Sequence, residues 1–267
     1  MLLSGLLCRL SNPLFAAGRK SSYHFMMKAF ILAAGSGSRL RPLTDSVPKC
    51  LLPIQGAPLL EIWLENCAMA GISEVLVNVH SHAGKIRDFA RTHKVPVRVH
   101  IAEEEELLGS AGTLAANRQF VSGEDVFFVL YGDVLTNLNL LDLLAFHRDH
   151  ATVATLGIHH VPDPTQCGIV MTDEHDIVRG FVEKPAEPIG NWAFSGIMAA
   201  RQQLFDFIPT SRPADIGFHL LPQLAGRMSA YRISAFLLDI GTLHTYRAAQ
   251  SSWPGLAGTG KIEARQS

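Results

Sequence analysis

Long apolar runs are missing: no stretch approaches the roughly 20 residues that a membrane-spanning helix needs. An excess of either charge is missing too, since 23 Lys and Arg against 24 Asp and Glu leave a formal net charge of −1. That balance gives no electrostatic footing for nucleic acid or an anionic membrane, so neither is expected as a partner. Cysteine is sparse. Cys8, Cys50, Cys67 and Cys167 form no CxxC pair and no zinc-ligand spacing, the pattern of a reduced, cytoplasmic chain. Internal repeats and low-complexity linkers are also absent. What remains is 48% hydrophobic and 18% charged, apolar material enough for one large domain or a main domain with a small annex.

Residues 1–26 carry Arg9, Arg19 and Lys20 but no acidic residue, a faint likeness to an organelle transit peptide. No positive charge precedes the Leu2–Leu7 stretch, which argues against a secretory signal. The segment is read as a disordered extension or an over-called start, because Met27 sits just before the first strong strand signal. The folded domain is expected over 27–250, with 251–267 a loose tail containing Gly and Ser.

From Lys28 onward, β-rich runs alternate with helical ones, the mark of an α/β fold. KAFILAA is an apolar strand ending in the glycine-rich Gly35-Ser-Gly-Ser. Leu59, Ile62, Trp63, Asn66 and Cys67 recur at three- and four-residue spacing and predict a helix over 58–70 that Gly71 stops. Strands are predicted over 74–79, 95–102 and 126–131, and helices over 84–92, 111–118 and 140–150. After residue 150, TVATLGIHHV, CGIVMTD, IVRGFVEK and WAFSGIMAA are strand-like runs separated by turns. Helices return over 202–208 and 216–226, then the single strand AYRISAFLL and a helix from about Thr242. The expected architecture is a Rossmann-like, mostly parallel mixed sheet flanked by helices, with a smaller mixed part for a second substrate.

GSGSRL by itself says little. Leu40 stands where a dinucleotide fingerprint has its third glycine, and no GK[ST] follows to make a P-loop. Its surroundings are more telling. The stretch ILAAGSGSRLRPLTDSVPKCLLPI, Ile31 to Ile54, resembles the signature of the sugar-1-phosphate nucleotidyltransferases: a strand, then G-x-G-x-R-L-x-P-L-T, then P-K-x-L-L-P. Glycines let the backbone approach a triphosphate and bind its oxygens through N–H groups. Arg39 can fork onto the phosphate oxygens of the leaving pyrophosphate, and Lys49 can reach the α-phosphate.

The resemblance extends to about Ala249 and implies the rest of a site. Leu32, Ala33, Ala34, Gly35 and Gly37 would hold the nucleotide. LLGSAGTL (107–114) looks like the family's second glycine-containing loop, so Gly109, Gly112 and Thr113 would meet the base. In VFFVLYGDVLTN, Asp133 lies just past a buried strand, where open α/β sheets bind ligands. The family's metal-binding aspartates correspond to Asp133 and to Asp239 in LLDIGTLHTY, implying Mg²⁺. FVEKP resembles the element in which Glu183 would contact sugar hydroxyls and Lys184 the sugar phosphate, with Gly132, Asn191 and Gly196 completing the substrate side. There the chain departs from many relatives, with Phe194-Ser195-Gly196 where they carry Asn-Ala-Gly. His80, His82, His159 and His160 stay outside the expected site, and Glu103–Glu106 is read as a solvated loop with a lesser chance of touching the nucleoside.

What the resemblance implies is displacement at the α-phosphorus of an NTP by a sugar 1-phosphate, with GTP and mannose 1-phosphate the expected pair. A uridylyl- or thymidylyltransferase for glucose 1-phosphate is the alternative, and a non-catalytic relative that binds a nucleotide sugar is another. A transferase using a non-sugar acceptor such as phosphocholine, and a dinucleotide-dependent oxidoreductase, rank lower. The short form without a β-helix tail is expected, with room for a homo-oligomer.

Overall fold

A continuous apolar run marks a strand buried on both faces, and β1 (Met27–Leu32) carries one after Lys28: Ala29, Phe30 and Ile31 are fully buried. The computed structural model describes residues 27–187 and 189–256. Beyond β1, the short β2 (Pro53–Ile54) and β3 (Ala57–Pro58) form a hairpin. Then follow α1 (Leu59–Met69), β4 (Ile72–Val79), α2 (Ala83–Thr92), β5 (Arg98–Glu103), α3 (Ser110–Ala116) and β6 (Phe127–Tyr131). The second part comprises β7 (Val134–Thr136), α4 (Leu140–His150), β8 (Ala154–His160), β9 (Gly168–Thr172), β10 (Val178–Glu183), β11 (Trp192–Ala200), β12 (Met228–Arg232), β13 (Leu237–Asp239) and α5 (Leu243–Ser252).

Strands β5, β4, β1 and β6 lie side by side and all parallel. Beyond β6 the direction reverses: β11 pairs antiparallel with β6 and with β8, and β12 runs parallel to β8. The β9–β10 hairpin continues the sheet beside the first part of β11, through Ala193 and Ile169. The mostly parallel mixed sheet flanked by helices is therefore the architecture observed. Alternation along β1 divides the core, because successive side chains point to opposite faces. Ile31 packs with Trp63, Leu60, Leu143 and Val77, while Phe30 packs with Phe127, Leu114, Leu156 and Leu220. No helix among the described residues is long and apolar enough to cross a membrane.

Several elements differ from expectation. AYRISAFLL is two strands in two sheets: β12 pairs with β8, and β13 pairs antiparallel with β7. Apolar periodicity does not distinguish one strand from two that turn a corner. The strand expected from Val95 starts at Arg98, after Pro96, which cannot donate to a ladder. Residues 202–207 form a 3-10 turn rather than an α-helix, and 216–224 a π-type turn followed by a 3-10 turn at Pro222, which interrupts helical hydrogen bonding. The domain boundary expected at 250 falls inside α5, and Trp253 and Leu256 are buried in the core. The readings of 1–26 and of 257–267 lie outside the described residues.

One buried titratable group sits under this sheet. His147 on α4 is fully buried, its Nδ1 2.8 Å from the Thr155 hydroxyl, and its Nε2 has no hydrogen-bond partner among the described residues. Burial, aided by Arg201, lowers its pKa from 6.5 to about 4. The folded protein thus keeps His147 neutral where the unfolded chain takes up a proton, so stability is lost as pH falls from 6.5 through about 4. His147→Gln is expected to flatten the fall in urea midpoint over that window relative to the unsubstituted protein. Parallel curves for the two proteins would show that His147 does not contribute to acid sensitivity.

Candidate active site

The loop after β1 is shaped by contacts that explain its sequence. The Ala33 N–H donates to Asn78 Oδ1 at 2.7 Å, tying the loop to the end of β4. Gly37 takes φ +63°, a left-handed conformation open to glycine, and its carbonyl accepts the Thr44 hydroxyl at 2.8 Å. A Cβ there would lie 3.0 Å from the Thr44 methyl. In the turn Ser38–Leu40, Leu40 is buried and Arg39 is exposed. Lys49 begins a second turn in which its neighbour Cys50 is buried.

Asp133 follows β6 after a single residue, Gly132. The preceding Gly132 donates its N–H to the Leu32 carbonyl at 2.8 Å, and a Cβ would come within 3.0 Å of that same oxygen. Asp239 arrives from the far end of the chain. Antiparallel pairing sets Asp239 opposite Val134, and the Ile240 N–H donates to the Asp133 carbonyl at 3.0 Å. The Lys49 ammonium then stands 2.6 Å from Asp133 Oδ2 and 4.0 Å from Asp239 Oδ1, with its side chain only 10% exposed. The Gly241 N–H donates to Asp239 Oδ1, and a Cβ at 241 would crowd that oxygen, Arg39 Nη2 and Lys49 Nζ together. Four charged groups therefore meet at one point. Desolvation, then repulsion from Asp133, raises the pKa of Asp239, against the pull of Lys49, the Gly241 N–H and Arg39.

Beside this cluster opens a cleft of about 280 Å³, lined by Leu32, Ala34, Gly35, Asn78, Glu104, Gly109, Tyr131 and Asp133 among others. Its far wall is a buried polar network. Asn78 Nδ2 donates to Glu104 Oε1 at 2.9 Å and to the Thr113 hydroxyl at 3.0 Å. Glu104 Oε1 also accepts the Thr113 hydroxyl, and Oε2 accepts the Leu108 N–H at 3.1 Å. The run Glu103–Glu106 is thus not uniformly solvated: Glu103 pairs with Arg87 at the surface, while Glu104 is only 7% exposed. Both missed residues left a signal. Asn78 interrupts the apolar second half of β4, and Glu104 sits immediately past a parallel strand, much as Asp133 lies one residue beyond β6.

Gly109 opens α3 at φ +76°, and a Cβ would lie 2.3 Å from the Ala214 carbonyl oxygen. That oxygen accepts the N–H groups of Ala111 and Gly112 at 2.9 and 3.0 Å, so α3 begins hard against residue 214.

On the opposite side, Glu183 ends β10 between Gly168 and Gly217, at either of which a Cβ would meet its Oε2. Its carboxylate has no hydrogen-bond partner among the described residues. Desolvation, then Asp215, raises its pKa against the pull of Lys184. Lys184 is exposed, with φ +48° and its N–H donating to the Cys167 carbonyl at 2.9 Å. Gly196 takes φ +77°, which clears the Tyr131 ring, itself edge-on to Phe194 at 5.7 Å. Asn191 is exposed, and its amide donates to the Val161 carbonyl at 3.1 Å, extending the antiparallel pairing of β8 and β11 by one position. Of the histidines set aside, His80 Nδ1 lies 2.9 Å from the Glu104 carbonyl and His82 begins α2.

Comparison with known proteins places the chain in a family. The family model described as nucleotidyl transferase matches residues 28–253. The chain belongs to that family. It is 33% identical over 228 residues to mannose-1-phosphate guanylyltransferase 1 of Arabidopsis thaliana, covering 82% of this chain and 63% of the relative. It is 34% identical over 238 residues to the UTP–glucose-1-phosphate uridylyltransferase of Synechocystis sp., covering 82% of this chain and 61% of the relative. The chain thus spans about three-fifths of the length of these relatives. Among solved structures it is similar in fold to HddC from Yersinia pseudotuberculosis complexed with GMP-PN, with a TM-score of 0.72 and 23% identity, over 85% of this chain and 100% of that one.

The buried network gives a test of the site's construction. Asn78→Asp removes two donors and sets a second carboxylate against Glu104. Unfolding free energy at neutral pH should fall by about 1–3 kcal/mol, since buried acceptors are left unsatisfied. Part of that loss should return under mild acid, as one of the facing carboxyls takes up a proton. Urea titrations at both pH values read this directly, and an unchanged midpoint at neutral pH would show that the network is not needed for stability.

Proposed function

We propose that the chain joins a nucleoside triphosphate to a sugar 1-phosphate, releasing pyrophosphate. The observation that carries this reading is the meeting of Arg39, Lys49, Asp133 and Asp239 beside a glycine loop and a cleft at the carboxyl ends of parallel strands. In the proposed step, a phosphate oxygen of the sugar 1-phosphate attacks the α-phosphorus. One P–O bond forms there as the bond to the β-phosphate oxygen breaks in line. Both reactants are anions, so the work is positioning and charge cancellation rather than acid–base chemistry. N–H groups of residues 35–37 cradle the triphosphate, Arg39 neutralises the departing pyrophosphate, and Lys49 lies against the α-phosphate. The unpaired Glu183 carboxylate accepts from sugar hydroxyls, and Lys184 meets the sugar phosphate.

Mg²⁺ fits the donor set. Asp133 and Asp239 supply hard oxygens, and the upward shift at Asp239 comes first from desolvation and then from the Asp133 carboxylate nearby. No group of three or more His, Cys, Asp or Glu suited to a metal exists among the described residues. That suits an ion that keeps waters and takes its remaining ligands from phosphate. When bound, it supplies neutralisation of phosphate charge.

GTP with mannose 1-phosphate is the proposed substrate pair, supported by the similarity to mannose-1-phosphate guanylyltransferases. Glu104 is the glutamate of the 103–106 run that lines the cleft. Its Oε2, holding one N–H donor, retains acceptor capacity for the paired donors of guanine. The alternative is UTP or TTP with glucose 1-phosphate, favoured by an equally similar uridylyltransferase relative. Pyrophosphate release, measured for each common NTP against a panel of sugar 1-phosphates, should give kcat/KM for GTP with mannose 1-phosphate at least tenfold above UTP. The reverse order sinks the guanylyl reading and leaves the reaction class standing. Asp133→Ala should lower turnover by at least about a hundredfold, and a protein releasing no pyrophosphate with any pair would overturn the transferase reading.

A further inference from the structure

We infer that Lys49 is an internal cation that competes with a divalent metal for Asp133, so that the metal binds tightly only together with a nucleoside triphosphate. The inference rests on the transferase reading for the metal at Asp133 and for the nucleotide. Its starting point is geometry. Lys49 Nζ stands 2.6 Å from Asp133 Oδ2, occupying the carboxylate that the transferase reading gives to a metal, and 4.0 Å from Asp239 Oδ1. With its side chain 10% exposed, this ammonium is not free to swing into solvent. Arg39 adds a second positive charge, its Nη2 sharing with Lys49 Nζ and Asp239 Oδ1 the space where a Cβ on Gly241 would fall.

Charge decides the consequence. Arg39 and Lys49 balance Asp133 and Asp239, so the cluster as it stands is neutral. A bare dication entering it would produce a strongly positive cluster within a few ångströms, and at this separation repulsion in a partly dehydrated site is large. The same dication carried by a triphosphate arrives with more negative charge than positive. The phosphate oxygens then offer Lys49 and Arg39 new partners, and Asp133 is released to the metal. Lys49 thereby acts as a positioning residue, exchanging one anion for another as the site fills. Linkage requires that metal and nucleotide strengthen each other's binding by the same factor.

Mn²⁺ affinity, read by electron paramagnetic resonance or calorimetry, tests this without turnover. With Mn²⁺ alone, binding to the unsubstituted protein should be weak. It should tighten at least about tenfold when α,β-methylene GTP or α,β-methylene UTP is present. Lys49→Ala should bind Mn²⁺ alone more tightly than the unsubstituted protein and lose most of the nucleotide enhancement, while Lys49→Arg should restore the suppression. Equal Mn²⁺ affinity with and without nucleotide in the unsubstituted protein, or weaker Mn²⁺ binding in Lys49→Ala, would overturn the inference. If neither analogue binds at all, the transferase reading fails, and the Mn²⁺-only arm still decides whether Lys49 competes for Asp133.

Discussion

The charge cluster at the candidate site depends on one short antiparallel pairing, β7 with β13. Three residues from each strand meet, and the register places Asp239 opposite Val134 and therefore next to Asp133. Without that pairing two carboxylates from distant parts of the chain would not share a lysine. The pairing is also costly in isolation, because it sets like charges together. Desolvation first, and then the Asp133 charge, raise the pKa of Asp239 against the pull of Lys49, the Gly241 N–H and Arg39. A site left in this condition favours ligands that bring their own positive charge to the acids and negative charge to the bases, which is what a metal-bound triphosphate does.

The glycines of the site work by allowing close approach rather than by flexibility. At Gly132 the Leu32 carbonyl, at Gly109 the Ala214 carbonyl, and at Gly217 and Gly168 the Glu183 carboxylate all occupy space that a side chain would need. Each such contact holds two separate segments together. The start of α3 is held against the segment before residue 216, and the end of β10 against the turn that follows it. The cleft is a consequence of backbone meeting backbone, and its polar wall is set by Asn78 binding three partners from three segments.

How much of this was legible beforehand can be judged residue by residue. β1 and β6, the helices α1 and α4, and the loop from Gly35 to Lys49 follow from apolar periodicity and local signature, both of which are short-range properties. Asp133 was legible because it follows a buried strand. Glu104 follows a parallel strand too, yet in a run of four glutamates it looked like solvated surface, and its burial depends on Asn78, Thr113 and Leu108 coming together from elsewhere. The bond from the Asn191 amide to the Val161 carbonyl was not legible, because it depends on the pairing of β8 with β11 across some thirty residues. The corner between β12 and β13 was hidden because both halves are equally apolar.

By itself the sequence determined the alternating order of strands and helices, the signature loop that carries Gly35, Gly37, Arg39 and Lys49, and the family, because these reside in neighbouring residues. Only tertiary structure decided that Asp239 joins Asp133 and Lys49, that Glu104 rather than its neighbours enters the cleft, and that Trp253 and Leu256 belong to the core. The reason is physical. Periodicity and propensity act over a few residues, whereas burial and pairing of a charge are set by whichever distant segment packs against it.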